Sequence, residues 1–221
     1  MQYILNIDTA IETSSLCLSL EGKSVGFAQN QDSAAWIQEG IRALLETAGV
    51  SLQQLHAIAV SAGPGSYTGL RVGMASAKGL CYALNIPLIT INSLHMMTVA
   101  AADTTADLYC PMIDARRMEV FTAMYTRELK EIVPVQALVL NENSFEEIIT
   151  QHRIVFFGNG SAKFSSLIHH PNALFIEPAI NAQHLVALST ACLAKRDFAN
   201  LAYSEPYYGK QFYAPPQKAT P

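Results

Sequence analysis

Apolar positions recur along this chain with two periods, and the switches between them mark out its elements. Residues 3–7 form a short apolar run ending at Asp8-Thr9, and 14–20 alternate with period two, which predicts a strand pair. Gly22-Lys23 turns the chain toward a third strand at 25–27. A helical period follows from Ser33, with Ile37, Ile41, Leu44 and Ala48 on one face and Gly49 as its stop. Residues 57–61 read as a buried strand entering Gly63-Pro64-Gly65-Ser66-Tyr67-Thr68-Gly69 and then a long helix through Leu84. A strand at 87–91 and a helix at 93–102 complete a parallel βαβ unit.

The pattern then starts again. Residues 109–113 form a strand ending at Asp114, a short turn carries Arg116 and Arg117, and 119–125 is the answering strand. Two Asp-terminated hairpins about a hundred residues apart indicate duplication. A helix over 144–151, a strand over 154–157, Gly158-Asn159-Gly160 and a helix over 181–194 fit a second α/β lobe. The boundary is expected near Asp103 to Ala106, giving lobes of 1–104 and 105–221.

The glycine loop meets neither the dinucleotide fingerprint nor the Walker spacing, because Thr68 stands where a third glycine is required and no GK[ST] follows. A tight turn with Ser66 or Thr68 as helix cap explains it equally well. In the helix after it, Gly69 and Gly73 lie four apart, and Ser76, Leu80 and Ala83 continue the stripe. Interior glycines cost about 1 kcal/mol each against alanine, so a close approach by other backbone is expected to compensate. The approaching group belongs either to this chain or to a partner. Trp36, near Gly40 and Ala43 on the first helix, is a candidate interface anchor or a lid on the core.

Composition narrows the function classes. Half of the 221 residues are apolar, enough for a large core, yet no apolar run is long enough to span a membrane and no signal-type segment opens the sequence. A cytoplasmic protein is expected. The net charge of −4, with no basic cluster beyond Arg116-Arg117, leaves no patch that binds nucleic acid unaided. Cys17, Cys81, Cys110 and Cys192 are dispersed in apolar stretches, as buried thiols are. There is no GxSxG and no HExxH, and His95 is followed four residues later by Val99 rather than a second histidine. The Pro- and Tyr-rich stretch 205–221 is expected to end in disorder.

Three segments carry a family resemblance: Ile7-Asp8-Thr9-Ala10 with Thr13-Ser14-Ser15, then Gly63 to Gly73, then Ile113-Asp114-Ala115-Arg116-Arg117 with Glu119-Val120-Phe121. Together they resemble the TsaB (YeaZ) proteins of tRNA threonylcarbamoyladenosine biosynthesis. The resemblance implies a duplicated ribonuclease-H-like α/β fold of two lobes, the architecture of actin, sugar kinases and Hsp70. It extends to 205–208, which are similar to the family's C-terminal strand. It implies a non-catalytic scaffold that binds the catalytic paralogue TsaD, which transfers threonylcarbamoyl to N6 of an adenosine in ANN-decoding tRNAs. A TsaE-type ATPase is a further implied partner, tRNA is reached only through the complex, and a homodimer forms when TsaD is absent. The implied interface comprises Trp36, Gly40 and Ile41 on the first helix and Thr68, Gly69, Val72, Gly73 and Ser76 on the second. Asp8, Arg116, Arg117 and Glu119 are candidates to border a cofactor cleft. No cofactor or metal of its own is expected, ATP or ADP and metal being carried by the partner subunits. No glycine follows Thr9 to close on a phosphate, and Ala34 stands where relatives have histidine. Two other functions make different demands. A stand-alone kinase or ATPase of this fold would need Asp8, Asp114 and Gly158/Gly160 to build a metal–nucleotide site, and a metallopeptidase would need a zinc site.

Overall fold

The computed structural model describes residues 1–31 and 33–209. Its first half builds one sheet from β1 (Tyr3–Asp8), β2 (Ser14–Leu20), β3 (Lys23–Asn30), β4 (Leu55–Ser61) and β5 (Leu88–Ile91), ordered β3-β2-β1-β4-β5. The first three strands form an antiparallel meander, and β4 and β5 join parallel to β1 through helical crossovers. Those crossovers contain α1 (Ser33–Ala48) and α2 (Tyr67–Leu84), and α3 (Ser93–Ala100) follows β5.

The second half repeats the plan with β6 (Leu108–Asp114), β7 (Glu119–Thr126), β8 (Glu131–Val139), β9 (Ile154–Phe157) and β10 (Ala173–Ile176). Its order, β10-β9-β6-β7-β8, is the first sheet's order read from the other edge, with the same antiparallel and parallel pairings. Its helices are short: α4 (Glu146–Ile149), α5 (Ser161–Ser165) and α6 (Val186–Lys195). This is the duplication that the two Asp-terminated hairpins indicated, in the ribonuclease-H-like α/β architecture that the family resemblance implied.

Strand alternation sorts the first sheet's faces. Leu5, Ile7, Leu16, Leu18, Ile58 and Val60 pack with Ile37, Ile41 and Leu44 of α1 and Met74, Ala77 and Cys81 of α2. On the other face, Ile4, Cys17, Ala57 and Ala59 join Tyr109, Phe121, Ala123 and Phe157 of the second half in one core. Helices also cross between halves. The first-half helix α3 lies on β6 and β7, and α6 of the second half lies on β1 and β5. A buried hydrogen bond from Ser189 Oγ on α6 to Asn6 Oδ1 on β1 (2.6 Å) fixes that crossing, and Ala182 N donates to Ser15 Oγ (2.8 Å) beside it.

Several expectations change. Two edge strands, β8 and β10, and the short α5 were not anticipated, α4 is shorter than 144–151, and the last helix opens as a 3-10 turn at Ala182–Leu185. Residues 205–208 are irregular rather than a strand, and among the described residues only Tyr207 N finds a backbone partner there, Ala62 O. The disorder expected of the tail concerns residues 210–221, outside the described ones. Cys17, Cys81 and Cys110 are buried and Cys192 partly so, and burial pushes the Cys81 and Cys110 thiols up to about 12.

Candidate functional site and family

The β1–β2 turn, the β6–β7 turn and the start of α2 meet between the lobes. They enclose a cavity of about 510 Å³ lined by Glu12, Ser66, Tyr67, Asp114, Arg116 and Tyr208, among others. Ser66 caps α2 by accepting from Gly69 N (3.2 Å). A smaller cavity of about 330 Å³ shares Glu12 and Asn159 with it and is also lined by Met97 and Glu177.

Asp8 does not border this space as expected. It is 0% exposed, because it points along the buried face of β1 toward the end of β4. Ser61 Oγ (2.6 Å) and Ala10 N (3.0 Å) both donate to its Oδ1, while Oδ2 has no partner. Burial raises its pKa, with the two hydrogen bonds opposing. Burial thus works against its charged form.

Its counterpart Asp114 faces the cavity. Burial pushes Asp114 up, but the Lys163 hydrogen bond, the Arg116 amide and the nearby cationic charges together hold it below the ordinary carboxylate value. Lys163 Nζ lies 2.6 Å from Asp114 Oδ1 and also donates to Glu119 O (3.1 Å). Of the other cleft candidates, Arg116 lines the cavity, Arg117 is exposed, and half-buried Glu119 offers its carbonyl rather than its carboxylate to Lys163. Lys163 was missed, since its five-residue helix is too short to show a period.

Two of the three glycines of α2, Gly69 and Gly73, are met from within the chain. A Cβ at Gly69 would overlap the Thr9 carbonyl oxygen, and one at Gly73 would overlap Thr9 Oγ1. The close approach that these glycines permit is therefore to the β1–β2 turn of the same chain. Gly69, Gly73, Gly40 and Ile41 are buried; Trp36, Val72 and Ser76 are half-buried; Thr68 is exposed. Trp36 lies over Gly40, where a Cβ would stand 2.7 Å from its ring. Gln38 Nε2 donates to Ser76 Oγ (3.0 Å), joining α1 to α2. Beside that bond runs an apolar groove of about 350 Å³ between the helices, lined by Ile41, Leu45, Val50, Leu52 and Leu80 with Gln38, Arg42 and Glu46 at its rim. The outer side of α2 presents Ala75, Gly79, Ala83 and Tyr82, the last 82% exposed. The sequence analysis followed the glycine stripe as far as Ala83 and passed over Ala75, Gly79 and Tyr82 beside it.

Among the described residues no group of histidine, cysteine and acidic side chains could hold a metal ion. His95 instead stacks on Tyr125 (centroids 5.4 Å apart), and burial lowers its pKa. No helix among the described residues is long and apolar enough to cross a membrane.

A family model described as "TsaD: tRNA N6-adenosine threonylcarbamoyltransferase" matches residues 28–216. The tRNA threonylcarbamoyladenosine biosynthesis protein TsaB of Bacillus subtilis is 35% identical over 146 residues, covering 62% of each chain. The chain belongs to the TsaB (YeaZ) family, within the wider TsaD family. TsaB of Escherichia coli is 34% identical over 128 residues, 57% of this chain and 55% of that one. The chain thus spans somewhat more than half the length of the curated TsaB proteins it matches. A solved structure titled YeaZ from Pseudomonas aeruginosa superposes with a TM-score of 0.76 at 24% identity, covering 94% of this chain and all of that one, and so shows the same fold.

Proposed function

We propose that this TsaB-family chain is a non-catalytic, cytoplasmic subunit of the machinery that forms N6-threonylcarbamoyladenosine in tRNA, and that it holds a TsaD-type partner on its α1–α2 surface. The observation that carries this reading is the outward side of α2. The glycine face is spent inward on Thr9, which leaves Ala75, Gly79, Ala83 and the projecting ring of Tyr82 facing solvent beside an apolar groove. Small residues flanking an exposed aromatic suit close packing by a partner's helix. The sealed position of Asp8 supports the non-catalytic part, since the carboxyl that ends β1 is fully buried and does not line the cavity. With a net charge of −4, tRNA is engaged through the complex.

Size-exclusion chromatography with light scattering tests the reading. The chain is run alone, with the TsaD-type protein of its own organism, and with a TsaE-type ATPase and nucleotide added. A one-to-one complex that draws down any homodimer, and that Tyr82→Asp abolishes without lowering Tm, is the expected result. No complex under any condition overturns it. Micromolar Mg-nucleotide binding by the isolated chain would replace it with the kinase reading.

A further inference from the structure

Residues 199–209 have almost no regular structure, yet they are tied down along their whole length. They leave the first sheet where Ala199 N donates to Leu88 O (2.9 Å). They turn at Asn200, whose Oδ1 accepts from Ala202 N (3.0 Å) and Tyr203 N (3.1 Å). Alongside α2, Lys78 Nζ donates to Ala202 O (3.2 Å) and Ser204 O (2.9 Å). Tyr207 N then pairs with Ala62 O (2.7 Å). At Tyr207 the backbone passes so near Gly63, itself at φ +105°, that a Cβ there would overlap the Tyr207 carbonyl. Arg71 Nε donates to Tyr208 Oη (3.0 Å), its guanidinium lies 4.0 Å from the Tyr67 centroid, and the Tyr67 and Tyr208 rings are 5.0 Å apart. Gly209 finally reaches the second half, where a Cβ would overlap the Phe121 ring.

Arg71 and Lys78 are the only charged residues of α2, and both are directed at this segment. Hydrogen bonds from charged donors are the stronger kind, and a segment with no ladder of its own depends on them for its position. Its far end also has a boundary role. Tyr208 lines the 510 Å³ interlobe cavity, and so does Phe121, against which Gly209 rests. We propose that residues 199–209 form a strap, latched to α2 by Arg71 and Lys78, whose seating between the lobes holds the interlobe cavity at its width. Release of the latches lets the strap lift and the cavity open. Because α2 also bears the surface assigned above to a partner, a protein docking there is placed to move the latches, but the strap itself is independent of that assignment.

Hydrogen–deuterium exchange of the full chain carrying Lys78→Met, and separately Tyr208→Leu, tests the strap. Loss of a latch is expected to speed exchange at 205–209 by about tenfold. It should also speed exchange in the cavity-lining turns 10–13 and 115–119, with α1 and β4 unchanged. Faster exchange confined to 199–209 would show that the strap does not set the cavity, and no change would show that the latches are idle; either overturns the proposal. Should Lys78→Met speed exchange everywhere by lowering global stability, Tyr208→Leu, which leaves the lysine latch intact, decides by the same comparison. None of these outcomes depends on whether a TsaD-type protein binds.

Discussion

At the end of β1, Asp8 has one carboxyl oxygen bonded to Ser61 and Ala10 and the other to nothing, in a fully buried site. A carboxyl whose folded-state pKa is raised contributes most while neutral. That contribution is full below the ordinary carboxylate value of 3.8 and is lost as pH rises through the raised one. Asp8→Asn mimics the neutral form, so its Tm should gain on the wild type steadily as pH rises from the ordinary carboxylate value of 3.8 through the raised one. A gap that stays constant over that range would show that Asp8 does not change charge there. Thr9, one residue on, sets the second test. Gly73→Ala should cost about 1–3 kcal/mol, because its Cβ must displace Thr9 Oγ1, and Gly73→Leu, which would spare the fold if that face met only a partner, should instead impair folding. Thr9 Oγ1 has no hydrogen-bond partner, so Thr9→Ala alone should be mild and should recover part of the Gly73→Ala loss. Denaturant melts of the four proteins measure that coupling.

Along α2 the same residue type has opposite consequences on opposite sides. Gly79 is exposed, with nothing within 4 Å of a built Cβ, so Gly79→Ala should stabilise by about 0.5–1 kcal/mol and raise Tm by about 2–4 °C. Helical periodicity revealed that α2 had a special stripe but not what filled it, because the filler, Thr9, lies about sixty residues earlier and no local pattern links them. The central strands β1, β4 and β6 were legible because a sheet covered on both faces leaves near-continuous apolar runs, β2 by its period-two alternation and β7 as its counterpart in the repeat. Of the edge strands, β3 and β5 were read as well, but β8 and β10 were not. β8 carries Pro134 and has no fully buried position, and β10 is half-buried throughout, so neither reads as a buried apolar run. For the cleft, the repeat of Asp8 and Asp114 was legible, but their opposite environments were not. One carboxyl is sealed by Ser61 and the other is held by Lys163, and both partners come from elements far away in sequence. Lys163→Met should therefore raise the Asp114 pKa, readable by carboxyl-carbon NMR, while costing no more than about 1 kcal/mol, since that carboxylate is 41% exposed.

For the whole molecule, the duplication seen in sequence suggests two lobes meeting at 104/105, a boundary that falls in the connection between α3 and β6. The packing is less separable than that. One hydrophobic core runs from Ile4 and Cys17 on the first sheet through Leu94 and Met97 of α3 to Tyr109, Phe121 and Phe157 on the second. Each sheet borrows its inner cover from the other half: α3 covers β6 and β7, and α6 covers β1, where Ser189 satisfies Asn6. A fragment ending at 104 would keep β1–β5 but lose α6, which would leave Asn6 without that partner and the apolar face of Ile4, Cys17, Ala57 and Ala59 open to water. A fragment starting at 105 would lose α3 from the face of Tyr109 and Phe121 in the same way. Neither half, expressed alone as 1–104 or 105–221, should give the dispersed NMR spectrum or cooperative melt of a folded domain, whereas the two mixed should recover both. The intact chain should unfold in one transition with equal calorimetric and van't Hoff enthalpies. A half that folds alone, or a melt that splits in two, would mean that the shared face contributes little and that the lobes are joined chiefly by their connections.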